Sequence, residues 1–404
     1  MKKHITLLCD HNITHKPRSS RILMLLDTIK ADSKQNLSNL TLHVISKDCT
    51  SEEFAKLASS ATFFTFPKDK SSKERSIAEN AAIDAYCQNG AFEKLIFTPN
   101  RAHILPHLYT LPPQDMLIIE DITLLPFATR YKQTYKSCHL LIDLREFYPL
   151  EYENDEQWRE GLGQFFTHLC RHYLPFVDTA LSVSEGLCER YKKDFRIPCT
   201  LFYSLPPFFD YTPKPTDKHH IKILYHGFIS PDKSSMELLD LAKLLLNSPY
   251  TLYVMALSNQ KGFLESFRIQ ATTLPSIKMI EPVSLEMIIP TSSSYDIGLI
   301  PFKPTTFNLA HCMPNKLFEY LQARLALLCT PLDDISNFIK AHQCGTLTQG
   351  FESADIATTL LRLSPQDIDT QKAHAHTQAQ KWHIGYNRNI LENLLHKVLT
   401  IDIK

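Results

Sequence analysis

The chain has 404 residues, 44% of them apolar and 21% charged, and its formal net charge is zero. This length suits two domains better than one, and the neutral charge gives no reason to expect nucleic acid as a partner. No apolar run approaches the roughly 20 residues of a membrane span. The short apolar run at the N-terminus does not match a signal peptide, and the ten cysteines contain no C-x-x-C pair, so we expect a cytoplasmic protein.

The first half of the chain alternates short apolar runs with helical patterns, which is typical of parallel sheets covered by helices. Helices are predicted near residues 18–30, 73–88, 157–173 and 185–193. The predicted strands are HITLLC (4–9), LTLHVIS (40–46), ATFFTF (61–66), KLIFT (94–98), MLIIE (116–120), HLLIDL (139–144) and TALSVS (179–184).

A segment rich in proline and charge, residues 207–220, separates this half from a second alternating set and is the predicted linker. We therefore predict an N-terminal domain over residues 1–206, a C-terminal domain over 221–375, and a helical tail over 376–404 that returns to the first domain. The strands of the second set are KILYH (222–226), TLYVMA (251–256), IKMIE (277–281), DIGLIPF (296–302), LALLCT (325–330) and GTLT (345–348). Two doubly wound α/β domains imply a cleft between them.

Residues 313–323 read MPNKLFEYLQA and predict a helix whose first turn contains Pro314 and a lysine, Lys316. A cation at a helix start meets the positive end of the helix dipole, at a cost of roughly 0.3–1 kcal/mol. Either Lys316 points into water or an anion lies at this helix start.

A second lysine, Lys233, stands in the same position before another predicted helix. Ser234 and Glu237 form an S-x-x-E capping box, so we expect this helix to begin at about Ser235. Gly227 lets the backbone turn closely at the end of the preceding strand. Helix starts in an open α/β sheet face the crevice where ligands bind. A diphosphate bound between the two lysines would replace the unfavourable interaction of each lysine with its helix dipole by an attraction to the phosphate charges.

Glu319 lies beyond the first turn of its helix and shares a face with Asn315. A carboxylate can accept hydrogen bonds from both hydroxyls of a vicinal diol such as ribose. The simpler alternative for each residue alone is a solvated side chain on a helix surface. The joint arrangement favours a nucleotide site, and the scarcity of glycine excludes a Gly-rich phosphate loop.

The segment YDIGLIPFKPTTFNLAHCMPNKLFEYLQARLALL (295–328) resembles the donor site of glycosyltransferase family 4 enzymes, which have the GT-B fold of two facing Rossmann-like domains. ILYHGFISPDKSSMELL resembles that family's first strand and glycine turn in the C-terminal domain. Residues 140–191 resemble the stretch before its linker, and KWHIGYNRNILENLL (381–395) resembles its closing helix.

The resemblance implies retaining transfer of a sugar from a nucleotide-sugar donor, such as a UDP-sugar, in surface polysaccharide synthesis. It implies no metal and no cofactor. By analogy, Glu319 would hold the ribose and Lys233 the diphosphate, while Gly227 would give close backbone approach. The other donor-side residues of the matching segment are His311, Asn315, Lys316 and Leu317.

The chain departs from the family pattern at three positions. His311 stands where a second glutamate is frequent, and Phe228 follows the glycine turn where arginine is common. On the acceptor side, the family's D-x-H-E pattern corresponds to Asp143, Leu144, Arg145 and Glu146. Arg145 cannot act as a base because it stays protonated, so it would bind phosphate, while Glu146 would assist the acceptor hydroxyl.

The acceptor implied is a glycan or a lipid-linked sugar. Two alternatives stay open: a nucleotide-sugar epimerase of the same fold, and a catalytically silent nucleotide-sugar-binding protein. The basic and aromatic stretches 128–136 and 190–196 permit peripheral contact with the inner face of a membrane, although most such faces are merely solvated.

His168 and His172 lack a third zinc ligand, and Arg18 and Arg21 are expected to be solvated.

Overall fold

The computed structural model describes residues 2–32, 37, 39–57, 60–231 and 235–399. The chain divides into two compact units. Unit 1 contains the residues up to Tyr203, the short segment Thr306–Asn308 and the residues from Asn387 onward, and unit 2 contains Ser204–Thr305 and Leu309–Tyr386. Among the described residues of the predicted linker, 207–220, no residue is helical or in a strand.

Unit 1 is built on a parallel sheet whose described strands follow the order β3-β2-β1-β4-β5-β6-β7. The sheet is parallel because helices connect successive strands, and its central strands are buried on both faces. The strands are β1 (Lys3–Cys9), β2 (Leu40–Lys47), β3 (Thr62–Phe66), β4 (Met116–Ile119), β5 (His139–Leu144), β6 (Thr179–Ser182) and β7 (Cys199–Leu201).

Unit 2 repeats this plan with the order β10-β9-β8-β11-β12-β13 among its described strands, again parallel. Both predicted doubly wound sheets are thereby confirmed. The strands are β8 (Ile221–Phe228), β9 (Tyr250–Leu257), β10 (Ile277–Ile280), β11 (Ile297–Ile300), β12 (Ala326–Cys329) and β13 (Gly345–Leu347).

The helices cover both sheets and seal an apolar core in each unit. In the first part of the chain they are α1 (Pro17–Ala31), α2 (Ser51–Leu57), α3 (Ile77–Gln88), α4 (Glu93–Ile96), α5 (Ile104–Thr110), α6 (Leu125–Thr134), α7 (Glu156–Glu160), α8 (Leu162–Tyr173) and α9 (Glu185–Phe195). They continue as α10 (Glu237–Leu244), α11 (Phe263–Thr272), α12 (Ile288–Ser292), α13 (Phe307–Ala310), α14 (Asn315–Gln322), α15 (Asp333–His342), α16 (Ser353–Arg362), α17 (Pro365–Ala379) and α18 (Ile384–Leu399).

Several elements differ from the sequence prediction, and α2, α5 and α6 were not among the predicted helices. The predicted strand KLIFT (94–98) is wrong, because it forms α4, in which the Phe97 N–H donates to the Glu93 carbonyl. A short apolar run has no period that separates strand from helix. The predicted helix over 157–173 is interrupted at Gly161, which ends α7 and precedes α8. The short strand β7 was not predicted.

The tail of the chain contributes α18, whose residues from Asn387 onward pack within unit 1. The Asn387 side chain donates to the Tyr203 carbonyl at 2.8 Å, and Arg388 binds Asp32 at 2.6 Å. No helix in the described ranges combines the length and the apolar character that crossing a bilayer requires.

Each sheet has a point where the strand order reverses, between β1 and β4 in unit 1 and between β8 and β11 in unit 2. In open α/β sheets, ligands bind beyond the carboxyl ends of the strands at such a point. The residues that follow β1, β4, β8 and β11 are therefore the ones to inspect for function.

Candidate functional site

Lys316 is the second residue of α14 and is only 8% exposed. Its ammonium group lies 4.1 Å from the centre of the Tyr225 ring and 5.0 Å from that of Phe302. Aromatic faces attract cations, which offsets the unfavourable helix dipole at this position. Because Tyr225 belongs to β8 and Phe302 follows β11, the cation lies at the strand reversal of unit 2.

Gly227 makes room for this lysine. A Cβ atom built on Gly227 would lie 3.2 Å from the Lys316 Nζ atom, and the glycine has a φ of +133°, which other residues rarely adopt. The backbone at Gly227 therefore lies close to Lys316, and the predicted close approach of this backbone to a donor stays a prediction.

Glu319 lies one turn further along α14 and is also 8% exposed. Its Oε2 atom is 3.4 Å from Nε2 of His226, the residue before Gly227. Burial, and then the Lys316 charge, lower the pKa of His226 to about 3. The imidazole is therefore neutral at pH 7, so this contact is not an ion pair.

Tyr320 holds α14 against the sheet. Its hydroxyl accepts a hydrogen bond from the His226 backbone N–H at 3.1 Å. A Cβ atom on Gly298, in β11, would lie 2.3 Å from the Tyr320 ring, so only glycine permits this packing. The start of α14 is thereby positioned over β8 and β11.

The remaining donor-side residues differ in accessibility. Asn315 is exposed at the first position of α14. The Leu317 side chain is fully buried in the core, and its N–H donates to the Pro314 carbonyl, so Leu317 has no free group for a ligand. His311 Nδ1 is hydrogen-bonded to Asp334 Oδ2 at 2.8 Å.

The predicted Lys233 and its cap Ser234 lie outside the described residues. The helix expected at about Ser235 begins at Glu237. The Glu237 carboxylate pairs with Lys303 at 2.7 Å, and Lys303 also binds Glu352 at 2.8 Å. This cation, in the segment after β11, was not singled out from the sequence.

On the acceptor side, Asp143 is completely buried, and its two carboxylate oxygens accept hydrogen bonds from Nε and Nη2 of Arg18, each at 2.6 Å. Arg18 also donates to the Phe202 carbonyl. The expectation that Arg18 is solvated is therefore wrong, because α1 turns its guanidinium towards a buried carboxylate. With no exposed surface, Asp143 supports the fold of unit 1 and has no access to an acceptor.

Arg145 and Glu146 remain accessible to different degrees. Arg145 is half-buried and donates to the Glu120 backbone carbonyl. Glu146 is exposed, and the surrounding protein together with the Glu151 carboxylate raises its pKa to about 7. Such a carboxyl group can exchange a proton near neutral pH.

The two basic and aromatic stretches are partly internal. Tyr131 and Tyr191 are completely buried, and the cations beside them are paired, Lys132 with Asp178 and Arg190 with Asp194. Contact with a membrane stays a prediction. Within the described ranges, no three His, Cys, Asp or Glu side chains form a metal-binding group.

No family model matches the chain, and no curated protein matches it. Its fold is nevertheless similar to solved structures over nearly the whole length. Anabaena Alr3699/HepE in complex with UDP is 13% identical with a TM-score of 0.65, covering 98% of this chain and 99% of that one. Sucrose-phosphate synthase from Thermosynechococcus elongatus is 10% identical with a TM-score of 0.72, covering 99% and 100%.

A third similar structure is an alpha,alpha-trehalose-phosphate synthase (UDP-forming) from Burkholderia vietnamiensis, 10% identical with a TM-score of 0.61, covering 99% of this chain and 100% of that one. These similarities show that the chain has the GT-B fold, in agreement with the resemblance to glycosyltransferase family 4.

Proposed function

We propose that the chain is a glycosyltransferase that moves a sugar from a nucleoside diphosphate donor to an acceptor hydroxyl, with retention at the anomeric carbon. The acceptor proposed is a glycan or a lipid-linked sugar in the synthesis of a surface polysaccharide. One observation carries the proposal: the buried Lys316 cation stands at a helix start beside Gly227, at the strand reversal of unit 2.

The charges around Lys316 and the start of α14 suit a diphosphate. The first amides of α14 and the Lys316 ammonium group supply positive charge where a leaving diphosphate develops negative charge. Gly227 has no side chain to block a phosphate that approaches Nζ. These groups can act without a metal ion.

Glu319 suits the ribose next to that diphosphate. Its carboxylate has two acceptor oxygens for a vicinal diol, and it lies three residues beyond Lys316 in α14, about 4.5 Å along the helix axis. The neutral His226 beside it brings no competing positive charge. Proteins of this fold, such as HepE, have been crystallised with UDP and with UDP-glucose, which supports UDP as the first nucleotide to test.

The deciding experiment is calorimetric titration of the full chain with UDP. We expect saturable binding that is weakened at least tenfold by Glu319→Ala, by Lys316→Ala and by Lys233→Ala. The matched controls Glu265→Ala and Lys340→Ala remove exposed charges elsewhere in unit 2 and should leave the affinity unchanged. Equal affinity in the site variants and the controls would refute the proposal.

Product analysis then separates the alternatives. Incubation with UDP-, GDP-, ADP- and CMP-sugars in the absence of an acceptor should leave the donor sugar unchanged, whereas an epimerase would convert it. A silent binding protein would bind nucleotide and release none from any donor. The anomeric configuration of the product, read by NMR, tests retention.

A further inference from the structure

A cavity of about 680 Å³ lies at the carboxyl edge of the sheet in unit 1. Its lining comes from four segments of this unit: the residues after β1, the residues after β2, the loop after β3, and a short 3-10 helix that contains Arg101. Pockets that hold small molecules have volumes of about 300–1,000 Å³. The cavity therefore has room for a ligand larger than a single inorganic anion.

Positive charge predominates in the lining of this cavity, because six of its side chains are cationic and four are carboxylates. The cationic side chains are those of Lys16, Lys47, Lys68, Lys70, Arg75 and Arg101. His11 also lines the cavity but adds no charge at pH 7, since burial, and then the charges of Arg145 and Lys16, lower its pKa to about 3. A concave surface with an excess of one charge attracts ligands of the opposite charge.

Four of the six cations already pair with carboxylates. The pairs are Lys47 and Arg101 with Asp10, at 3.3 and 2.7 Å, Lys68 with Glu74 at 3.0 Å, and Lys70 with Glu79 at 2.6 Å. Lys16 and Arg75 have no carboxylate partner among the residues that the structure describes. These two side chains are therefore the ones whose charge is left for a ligand.

Arg75 is held in place while one of its nitrogens stays unused. Its Nε atom donates to the Lys70 carbonyl at 2.8 Å, and Nη1 donates to Asn80 Oδ1 at 3.3 Å. Asn80 in turn donates to the Ser72 carbonyl at 3.0 Å. Within the described ranges Nη2 has no acceptor. A guanidinium group fixed in this way can bind an anion with little further loss of side-chain freedom.

Lys16 is the N-cap residue of α1, a helix of 15 residues. Its side chain makes no capping hydrogen bond, and the first turn of α1 contains no acidic residue. A cation beside the positive end of a helix dipole is unfavourable, and an anion bound between the two replaces this repulsion by attraction. The charge of Lys16 also acts on His11, which places the lysine at the same part of the cavity.

We propose that this cavity binds a sugar that carries a phosphate monoester, with Lys16 and Arg75 as the ligands of the phosphate. Two unpaired cations match a phosphate monoester, whose charge is about −1.5 to −2 at pH 7, better than they match a singly charged carboxylate. The lining also contains groups such as Asp48 and Ser71 that can hydrogen-bond to sugar hydroxyls. The site lies within unit 1, and the inference does not depend on the proposed glycosyl transfer.

The first test is calorimetric titration of the full chain with the 6-phosphates of D-glucose, D-mannose and D-fructose, each compared with the unphosphorylated sugar. We expect saturable binding of at least one sugar phosphate, at least tenfold tighter than that of its parent sugar, and competition by inorganic phosphate. The absence of binding by all three sugar phosphates and by inorganic phosphate would overturn the inference.

The second test locates the phosphate. Lys16→Ala and Arg75→Ala should each weaken the binding of the sugar phosphate at least tenfold, because each removes a charged donor, whereas Lys16→Arg keeps the charge and should retain most of the affinity. The matched controls Lys94→Ala and Arg171→Ala remove exposed cations of unit 1 outside the cavity and should leave the affinity unchanged. Circular dichroism checks the fold of every variant. Equal affinity in the cavity variants and the controls would contradict this placement of the phosphate.

The third test separates a phosphate site from a general anion site. D-glucuronate carries a carboxylate in place of the phosphate and should bind at least tenfold more weakly than the tightest of the sugar phosphates. Equal affinity for D-glucuronate would refute the assignment to a phosphate monoester. These measurements need neither UDP nor a donor sugar, so the failure of the proposed function and the failure of this inference are detected independently.

Discussion

The ammonium group of Lys316 lies 3.2 Å from the place where a side chain on Gly227 would begin. Two features thus coincide at Gly227: a backbone with φ of +133°, and a neighbouring ammonium group that a Cβ atom would have to displace by a few tenths of an ångström. Gly262, in the same unit, has the first feature without the second, since its φ is +78° and nothing lies within 4 Å of the position that a Cβ atom would take.

This contrast predicts that Gly227→Ala and Gly262→Ala affect stability and binding differently. Each substitution should lower the free energy of unfolding by about 1–3 kcal/mol through backbone strain. Only Gly227→Ala should displace Lys316 and weaken UDP binding, by at least tenfold. Urea denaturation measures the loss of stability in both variants, and calorimetric titration with UDP measures their affinity. Equal UDP affinity in both variants would show that UDP binding does not depend on the contact between Gly227 and Lys316.

His226 predicts a pH-dependent stability of the chain. Its pKa is about 3 in the folded protein against 6.5 for a free histidine, so between these values the unfolded chain binds more protons than the folded one. Stability therefore rises with pH in this window and is lost as the pH falls below 6.5. The contribution is about 1.4 kcal/mol per pH unit for one proton.

Replacement of His226 isolates this contribution, because other buried histidines such as His43 act in the same direction. His226→Gln should reduce the slope of unfolding free energy against pH, between pH 6 and 4.5, by close to one proton. The exposed His219→Gln is the matched control. A slope identical to that of the wild type would mean that His226 is not buried as a neutral ring.

The buried pair of Arg18 and Asp143 predicts a structural role where the sequence suggested an acceptor role. Asp143→Ala leaves a buried guanidinium without its carboxylate, and we expect a loss of about 3–5 kcal/mol in unfolding free energy. The double variant Arg18→Leu, Asp143→Leu should recover a large part of this loss. Urea denaturation of the single and double variants gives the coupling energy; independent, additive effects would contradict the pairing.

The alternation of apolar runs was sufficient to predict the two parallel sheets, because buried strands in such sheets are continuous apolar segments. It failed at residues 94–98, where a run of similar composition forms α4. A run this short does not show a period that distinguishes strand from helix. Packing in unit 1 therefore determines that these residues are helical.

The candidate donor site around Lys316 and Glu319 was predictable only in part. Lys316 and Glu319 were found because a lysine at a helix start breaks a local rule, but the sequence could not show that Tyr225 and Phe302 enclose the cation. Arg18 was misjudged because its partner Asp143 is 125 residues away.

The pair of His311 and Asp334 leads to the last prediction. His311→Glu would place a second carboxylate against Asp334, which His311 now contacts at 2.8 Å. Like charges at this distance repel, so we expect weaker binding of UDP-sugars than in the wild type. UDP itself should be less affected, because Lys316 and Glu319 are the residues proposed to hold the nucleotide. Adding Asp334→Asn removes the repulsion and should recover binding. The measurement is the ratio of the UDP-glucose affinity to the UDP affinity in the single and double variants. If the double variant binds UDP-glucose no more tightly than His311→Glu alone, Asp334 does not influence the side chain at position 311.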